Sequence, residues 1–129
     1  MHETERVLRA AATAMTTGDM GGLSALFADD VVVHVPGTNQ LSGDHKGKEA
    51  AFTAYMGKVM ALTNGDFVFE PHDIAGSEDH AAGIYRYRAT RDGTTLEWRH
   101  VNVYHVRDGQ IVEIWQHPFD FEHWNEFWS

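Results

Sequence analysis

The sequence predicts an α+β domain. Helices pack on the concave face of a curved antiparallel sheet and leave a cone-shaped cavity between the layers. Three observations carry this. Up to Thr63 the apolar residues recur at helical spacing, broken by one short strand-like run. From about residue 66 the chain reads as consecutive strands, with hairpin-type turns at Asp92-Gly93 and Asp108-Gly109. In the last third, Trp98, His100, Asn102, Tyr104, Gln116 and His117 sit among Val and Ile. Those aromatic, amide and imidazole groups line small-molecule cavities more than they decorate a solvated sheet face.

The elements follow in order. A helix from about Glu3 to Thr17 carries Val7, Leu8, Ala11, Ala14 and Met15 on one side. Gly18 stops it and Asp19 caps a short helix, Met20 to Ala28, which Asp29-Asp30 ends. Val31 to Val35 is a strand, and a polar loop runs from Pro36-Gly37 to about Lys46. A third helix, Gly47 to Thr63, presents Phe52, Tyr55, Met56, Val59 and Leu62, and Asn64-Gly65 closes it. Strands are expected at 66–74, 81–90, 96–106 and 110–117, then a short helix from about Phe121 with Phe121, Trp124 and Trp128 on one side.

Composition narrows the class. A chain of 129 residues suits one domain, residues 1–129, with a core that needs no staples. With no cysteine, disulfides, thiolate metal sites and a Cys nucleophile are excluded. The formal charge of −9, with no Lys/Arg stripe, argues against nucleic-acid binding. No segment has the length and apolarity of a membrane span or signal peptide, so a cytoplasmic protein is expected. There is no HExxH pattern, and His100 and His105 fall on opposite strand faces, so no metal site is expected. Neither a GxGxxG nor a P-loop is present, so no cofactor is expected.

Taken together, Thr17-Gly18-Asp19, Leu26-Phe27-Ala28-Asp29-Asp30-Val31, Val35-Pro36-Gly37, the Ser42-Gly43 to Gly47 loop and Arg107-Asp108-Gly109-Gln110-Ile111-Val112-Glu113 resemble the SnoaL-like branch of the nuclear-transport-factor-2-like superfamily. That group includes ketosteroid isomerases and polyketide cyclases. The resemblance implies an α+β cone, often dimeric, with a pocket between sheet and helices. It says little of the reaction, because one fold hosts many. Where the isomerases carry a carboxylate base before a proline, this chain has Val35, with His34 one residue earlier. Their helix-one tyrosine falls in Arg9-Ala10-Ala11-Ala12, and their second acid aligns with Asn102. SnoaL-type cyclases place an acid just after the last strand, where Asp120 stands here.

Asp120, His34, Asn102 and His100 are therefore the catalytic candidates. Phe119, Phe121 and Trp124 around Asp120 would raise its pKa by desolvation; alternatively Asp120 is the N-cap of the last helix. His34 either lines the pocket mouth or is a strand-end histidine. His100 and Asn102 share a strand face with Trp98 and Tyr104, and that face is either concave or a dimer surface. A two-residue Asp108-Gly109 turn pairs Asn102 with Trp115. A three-residue loop with a Gly bulge pairs it with Ile114, and the resemblance favours this, with Asn102, Ile114 and Gln116 inward. Trp98, Tyr104, Tyr55, Phe52, Met56, Ile114 and Gln116 are the candidate substrate contacts, with Met60 beside them on helix three. Tyr85 and Tyr87 alternate with Arg86 and Arg88, so one pair faces in.

The function expected is a small cofactor-free cavity enzyme. It would move a proton beside a carbonyl of an apolar ring or polyketide-like molecule, giving isomerisation, cyclisation or elimination. Asp120, His34 and Asn102 would converge in one cavity. The alternatives are a non-catalytic binding module of the same fold and an epoxide-type hydrolase, for which no Asp-Arg-Asp set can be placed. A homodimer through the outer sheet face is expected, because so small a cone should not bury Trp98, Trp115, Trp124 and Trp128 together.

Overall fold

The computed structural model describes all 129 residues. In order they form α1 (Glu3–Thr17), α2 (Met20–Ala25), β1 (Phe27–Val35), β2 (Gly43–Lys46), a π-helical segment (Glu49–Ala54) running into α3 (Tyr55–Thr63), β3 (Phe67–Gly76), β4 (His80–Arg91), β5 (Thr94–Arg107), β6 (Gln110–Pro118) and α4 (Phe121–Phe127). The six strands make one open sheet in the order β2-β1-β6-β5-β4-β3.

The helices form as their sequences demand. α1 buries Val7, Leu8, Ala11 and Ala14, and Thr4 donates to the Ser77 carbonyl at 2.6 Å, tying the helix to the β3–β4 turn. Gly18 ends it in the left-handed conformation, φ 75°, with its N–H on the Ala14 carbonyl. Asp19 caps α2 by accepting from the Gly22 N–H at 2.9 Å. Asn64 ends α3 at φ 50°.

Four expectations need correcting. The sheet is not wholly antiparallel: β1 runs parallel to β6, with Val33 opposite Ile114 and His34 opposite Trp115. Periodicity gives a strand's faces but neither its neighbour nor its direction, and β1 meets β6 only after the whole intervening chain has crossed over. The second helix stops at Ala25 and β1 begins at Phe27, which pairs with Ile111. The polar loop contains β2, a short edge strand too exposed to alternate. The β5–β6 register follows neither proposed pairing. Arg107 pairs with Gln110 across a two-residue turn, then Val112 is left over as a bulge, so Asn102 faces Gln116 and Tyr104 faces Ile114. The bulge restores Asn102, Ile114 and Gln116 to one inward face.

Alternate residues of β1 (Val31, Val33, Val35), β5 (Trp98 to Tyr104) and β6 (Ile111, Ile114, Gln116) point at the helices and are buried. Tyr85 and Tyr87 are the inward pair of their alternating run, with Arg86 and Arg88 exposed outside. Trp98, Trp124 and Trp128 are buried inside and only Trp115 lies on the outer face, so the cone holds three of the four indoles. No helix is long and apolar enough to cross a membrane.

Candidate functional site

The concave face, the four helices and the π-helical segment enclose a cavity of about 130 Å³. Phe52 closes it from the π-helical segment, Tyr55, Met56 and Val59 from α3, and Trp124 and Trp128 from α4 and the residue after it. Met60 is exposed and does not line the cavity. No Asp, Glu, Lys or Arg lines it.

Its polar groups form one hydrogen-bonded ladder along β5. Trp98 Nε1–H donates to His100 Nδ1 at 3.1 Å, His100 Nε2 meets Asn102 Oδ1 at 2.8 Å, and Asn102 Nδ2 donates to the Tyr104 hydroxyl at 3.1 Å. Tyr104 and Tyr85 share a hydroxyl–hydroxyl bond of 3.0 Å. An indole N–H can only donate, so His100 Nδ1 must accept and Nε2 must carry the proton. That fixes the tautomer and the orientation of the Asn102 amide, and the ladder runs one way. One proton fills the link between the phenols, so the other phenol proton remains to be donated. Nearby, Tyr55 donates to Gln116 Oε1 at 3.4 Å, leaving the Gln116 NH₂ unengaged.

Burial sets the charge state. It pushes the His100 pKa down to about 4, against a smaller rise from Asn102, so the imidazole is neutral at pH 7. Burial also pushes Tyr55 up to about 12 and raises Tyr85 and Tyr104, so the phenols keep their protons and stay donors. The site can polarise a carbonyl and hold the oxygen as it gains charge, and it holds no ionised group.

Gly83, not singled out from the sequence, makes the arrangement possible. It lies opposite Asn102, and a Cβ there would collide with the Tyr85 hydroxyl. A glycine inside a strand was the available signal.

Asp120, His34 and Asn102 do not converge. Asn102 and His100 are in the cavity. His34 stands one residue out of phase with Val33 and Val35, so it lies on the outer face, stacked on Trp115 with ring centroids 5.6 Å apart. Its Nδ1 meets Asp44 at 2.7 Å and its Nε2 meets Glu113 at 2.5 Å. Glu113 first, and Asp44 with it, raise the His34 pKa against the effect of burial. Asp120 is the exposed N-cap of α4 and pairs with His123 Nδ1 at 2.7 Å. That bond holds its carboxyl below the usual range. The expected upward shift fails because Phe119 and Phe121 are themselves exposed and remove no water. Of the substrate-contact candidates, Trp98, Tyr104, Tyr55, Phe52, Met56, Ile114 and Gln116 all line the cavity. No group of three His, Asp or Glu is gathered to hold a metal ion.

The fold is a helix-backed open sheet around a largely apolar pocket whose polar groups centre on the β5 row. Residues 8–114 match the SnoaL-like domain, and the chain belongs to that family, with the fold of nuclear-transport-factor-2-like proteins. Bal32a, from a soil-derived mobile gene cassette, is 32% identical and superposes with a TM-score of 0.91, over 98% of this chain and 97% of its own. The uncharacterised protein Rv0034 of Mycobacterium tuberculosis is 28% identical over 95% of this chain and 94% of its own. Rv0760c of the same organism, solved in complex with estradiol-17beta-hemisuccinate, is 26% identical with a TM-score of 0.73, over 90% of this chain and 93% of its own.

Proposed function

We propose that this chain is a cofactor-free cavity enzyme that takes an apolar, carbonyl-bearing ring or polyketide-like molecule and rearranges it beside that carbonyl. The observation that carries this is the one-way ladder of neutral donors in an otherwise apolar cavity. Its terminal phenol proton, from Tyr85 or Tyr104, meets the carbonyl oxygen, and Asn102 and neutral His100 hold that phenol in place. The ladder supplies the electrophilic half of an enolisation. The carbon acid that this polarisation creates gives its α-proton to solvent water at the cavity mouth. The resulting enol is reprotonated by water at another carbon, closes a ring or expels a leaving group, giving isomerisation, ring closure or elimination. A ring bound by Rv0760c in the same fold supports the choice of ligand. An engineered apolar cavity of roughly 150 Å³ takes benzene, so about 130 Å³ suits one ring, with longer ligands extending through the mouth.

A second reading, a binding module without turnover, is favoured by the lack of any carboxylate in the cavity. The epoxide-hydrolase alternative needs carboxylates that the lining does not hold. A homodimer through the outer face is part of the proposal, since Ile84, Val101, Val103 and Trp115 stay partly exposed there. Sedimentation showing only monomer at micromolar concentration would remove it.

The test of turnover is α-hydrogen exchange of 4-ethylacetophenone in D₂O, followed by NMR. The expected result is an acceleration by the protein of about 10²-fold or more, lost in Asn102→Ala. Binding without acceleration would give the second reading.

A further inference from the structure

We infer that the Trp128 indole N–H is a second polar subsite in this cavity, reading an acceptor oxygen at the opposite end of the ligand from the phenols. The inference rests on the cavity being a small-molecule site. Trp128 is 1% exposed and lines the cavity. Its Nε1 is the one buried side-chain nitrogen or oxygen in the protein without a hydrogen-bond partner. Every other polar group of the lining that is equally sealed from solvent has found a partner, so this donor stands out against a well-satisfied interior. The Trp128 ring meets Trp98 edge to face, centroids 6.1 Å apart and planes at 83°. Contact with a ring face is a weaker outlet for an N–H than an oxygen is.

Position gives the subsite its meaning. Trp98 begins the ladder and Tyr104 with Tyr85 ends it. Trp128, packed on Trp98, therefore sits at one end and the spare phenol proton at the other. The N–H and O–H donors left over in the cavity are the Trp128 N–H, one proton of the Tyr85–Tyr104 pair, the Tyr87 hydroxyl and the Gln116 amide, and of these the Trp128 N–H is the group that can only donate. No charged side chain accompanies them. The complementary ligand is a neutral ring with two acceptor oxygens at opposite ends, such as a dicarbonyl. It supplies the acceptor that the indole otherwise lacks on leaving water.

Two probes of nearly equal shape test this: 1,4-diacetylbenzene, and 4-ethylacetophenone, in which a methylene replaces the second carbonyl. NMR titration of ¹⁵N-labelled indoles, with Trp128 assigned by Trp128→Phe, reads both affinity and site. The wild type is expected to bind the diketone about tenfold tighter, the usual scale for satisfying a buried donor. Only the diketone should move the Trp128 indole proton downfield. Trp128→Phe should erase the preference, bringing the affinities of the two ketones within about threefold of each other. If that variant does not fold, the wild-type preference and indole shift decide. Equal affinities with an unmoved Trp128 proton overturn the subsite and leave the cavity reading standing. If neither ketone binds, both fall.

Discussion

The two faces of this one sheet treat the same residue types in opposite ways. On the inner face His100 is sealed among aromatic rings, with Trp98 donating to one ring nitrogen and Asn102 accepting from the other, and burial drives its pKa down to about 4. On the outer face His34 lies half-buried between two carboxylates, which raise its pKa and need both ring nitrogens to donate. Trp98 is core inside, while Trp115 is a partly exposed plate beneath His34 outside. Burial alone does not make the difference. Inside, His100 and the rest of the ladder meet neutral partners, and outside, histidine meets charge. A neutral ligand suits the first environment, and solvent or another protein surface suits the second.

The largest test of this contrast is packing. Trp98→Ala should destabilise the fold by about 3–5 kcal/mol, as large core truncations do, since its ring stacks on Tyr87 at 5.0 Å and abuts Trp128. Trp115→Ala, on the outer face, should cost less than half of that. Denaturant unfolding measures both, and equal losses would break the contrast.

The pH dependence comes next, and the two histidines have opposite signs. Between pH 6.5 and about 4 the unfolded chain takes up a proton that folded His100 refuses. Stability therefore falls by roughly 3 kcal/mol as pH drops through that window, and His100→Gln should flatten this acid limb. His34 works the other way: its folded pKa is raised, so its contribution is full below pH 6.5 and is lost as pH rises through the folded value. His34→Gln should remove that alkaline-side loss, a smaller effect because the pair is partly screened by solvent. Unfolding curves at a series of pH values separate the two slopes.

The smallest effect belongs to Asp120→Asn. Asn caps a helix about as well as Asp, and Asp120 lies outside the cavity. Turnover and melting temperature should both stay close to wild type. A large fall in turnover would return Asp120 to the catalytic machinery.

Much of this was legible in the sequence. The period-two row Trp98, His100, Asn102, Tyr104 and the Asp-Gly turns placed a polar stripe on one strand face, because alternation in a strand is fixed by backbone geometry. Two things were not legible. The side on which His34 points depends on the phase of β1, where the Val31-Val32-Val33 run gives no polar alternation to read. The fate of Asp120 depends on how deeply its apolar neighbours sink, and the sequence does not carry that. Gly83 and the role of the Trp128 N–H were hidden for a related reason. A strand glycine and a terminal tryptophan acquire meaning only when Tyr85 folds over the one and the other is left with a donor and no acceptor.

The central claim is that the inner face is built for a neutral acceptor. Calorimetric titration of the wild-type protein at pH 7 with 4-ethylacetophenone and with 4-ethylbenzoate, similar in shape but different in charge, tests it most directly. The ketone should bind at least about a hundredfold more tightly, because a carboxylate entering this cavity meets no countercharge and must shed its water. Equal or tighter binding of the carboxylate would contradict the account.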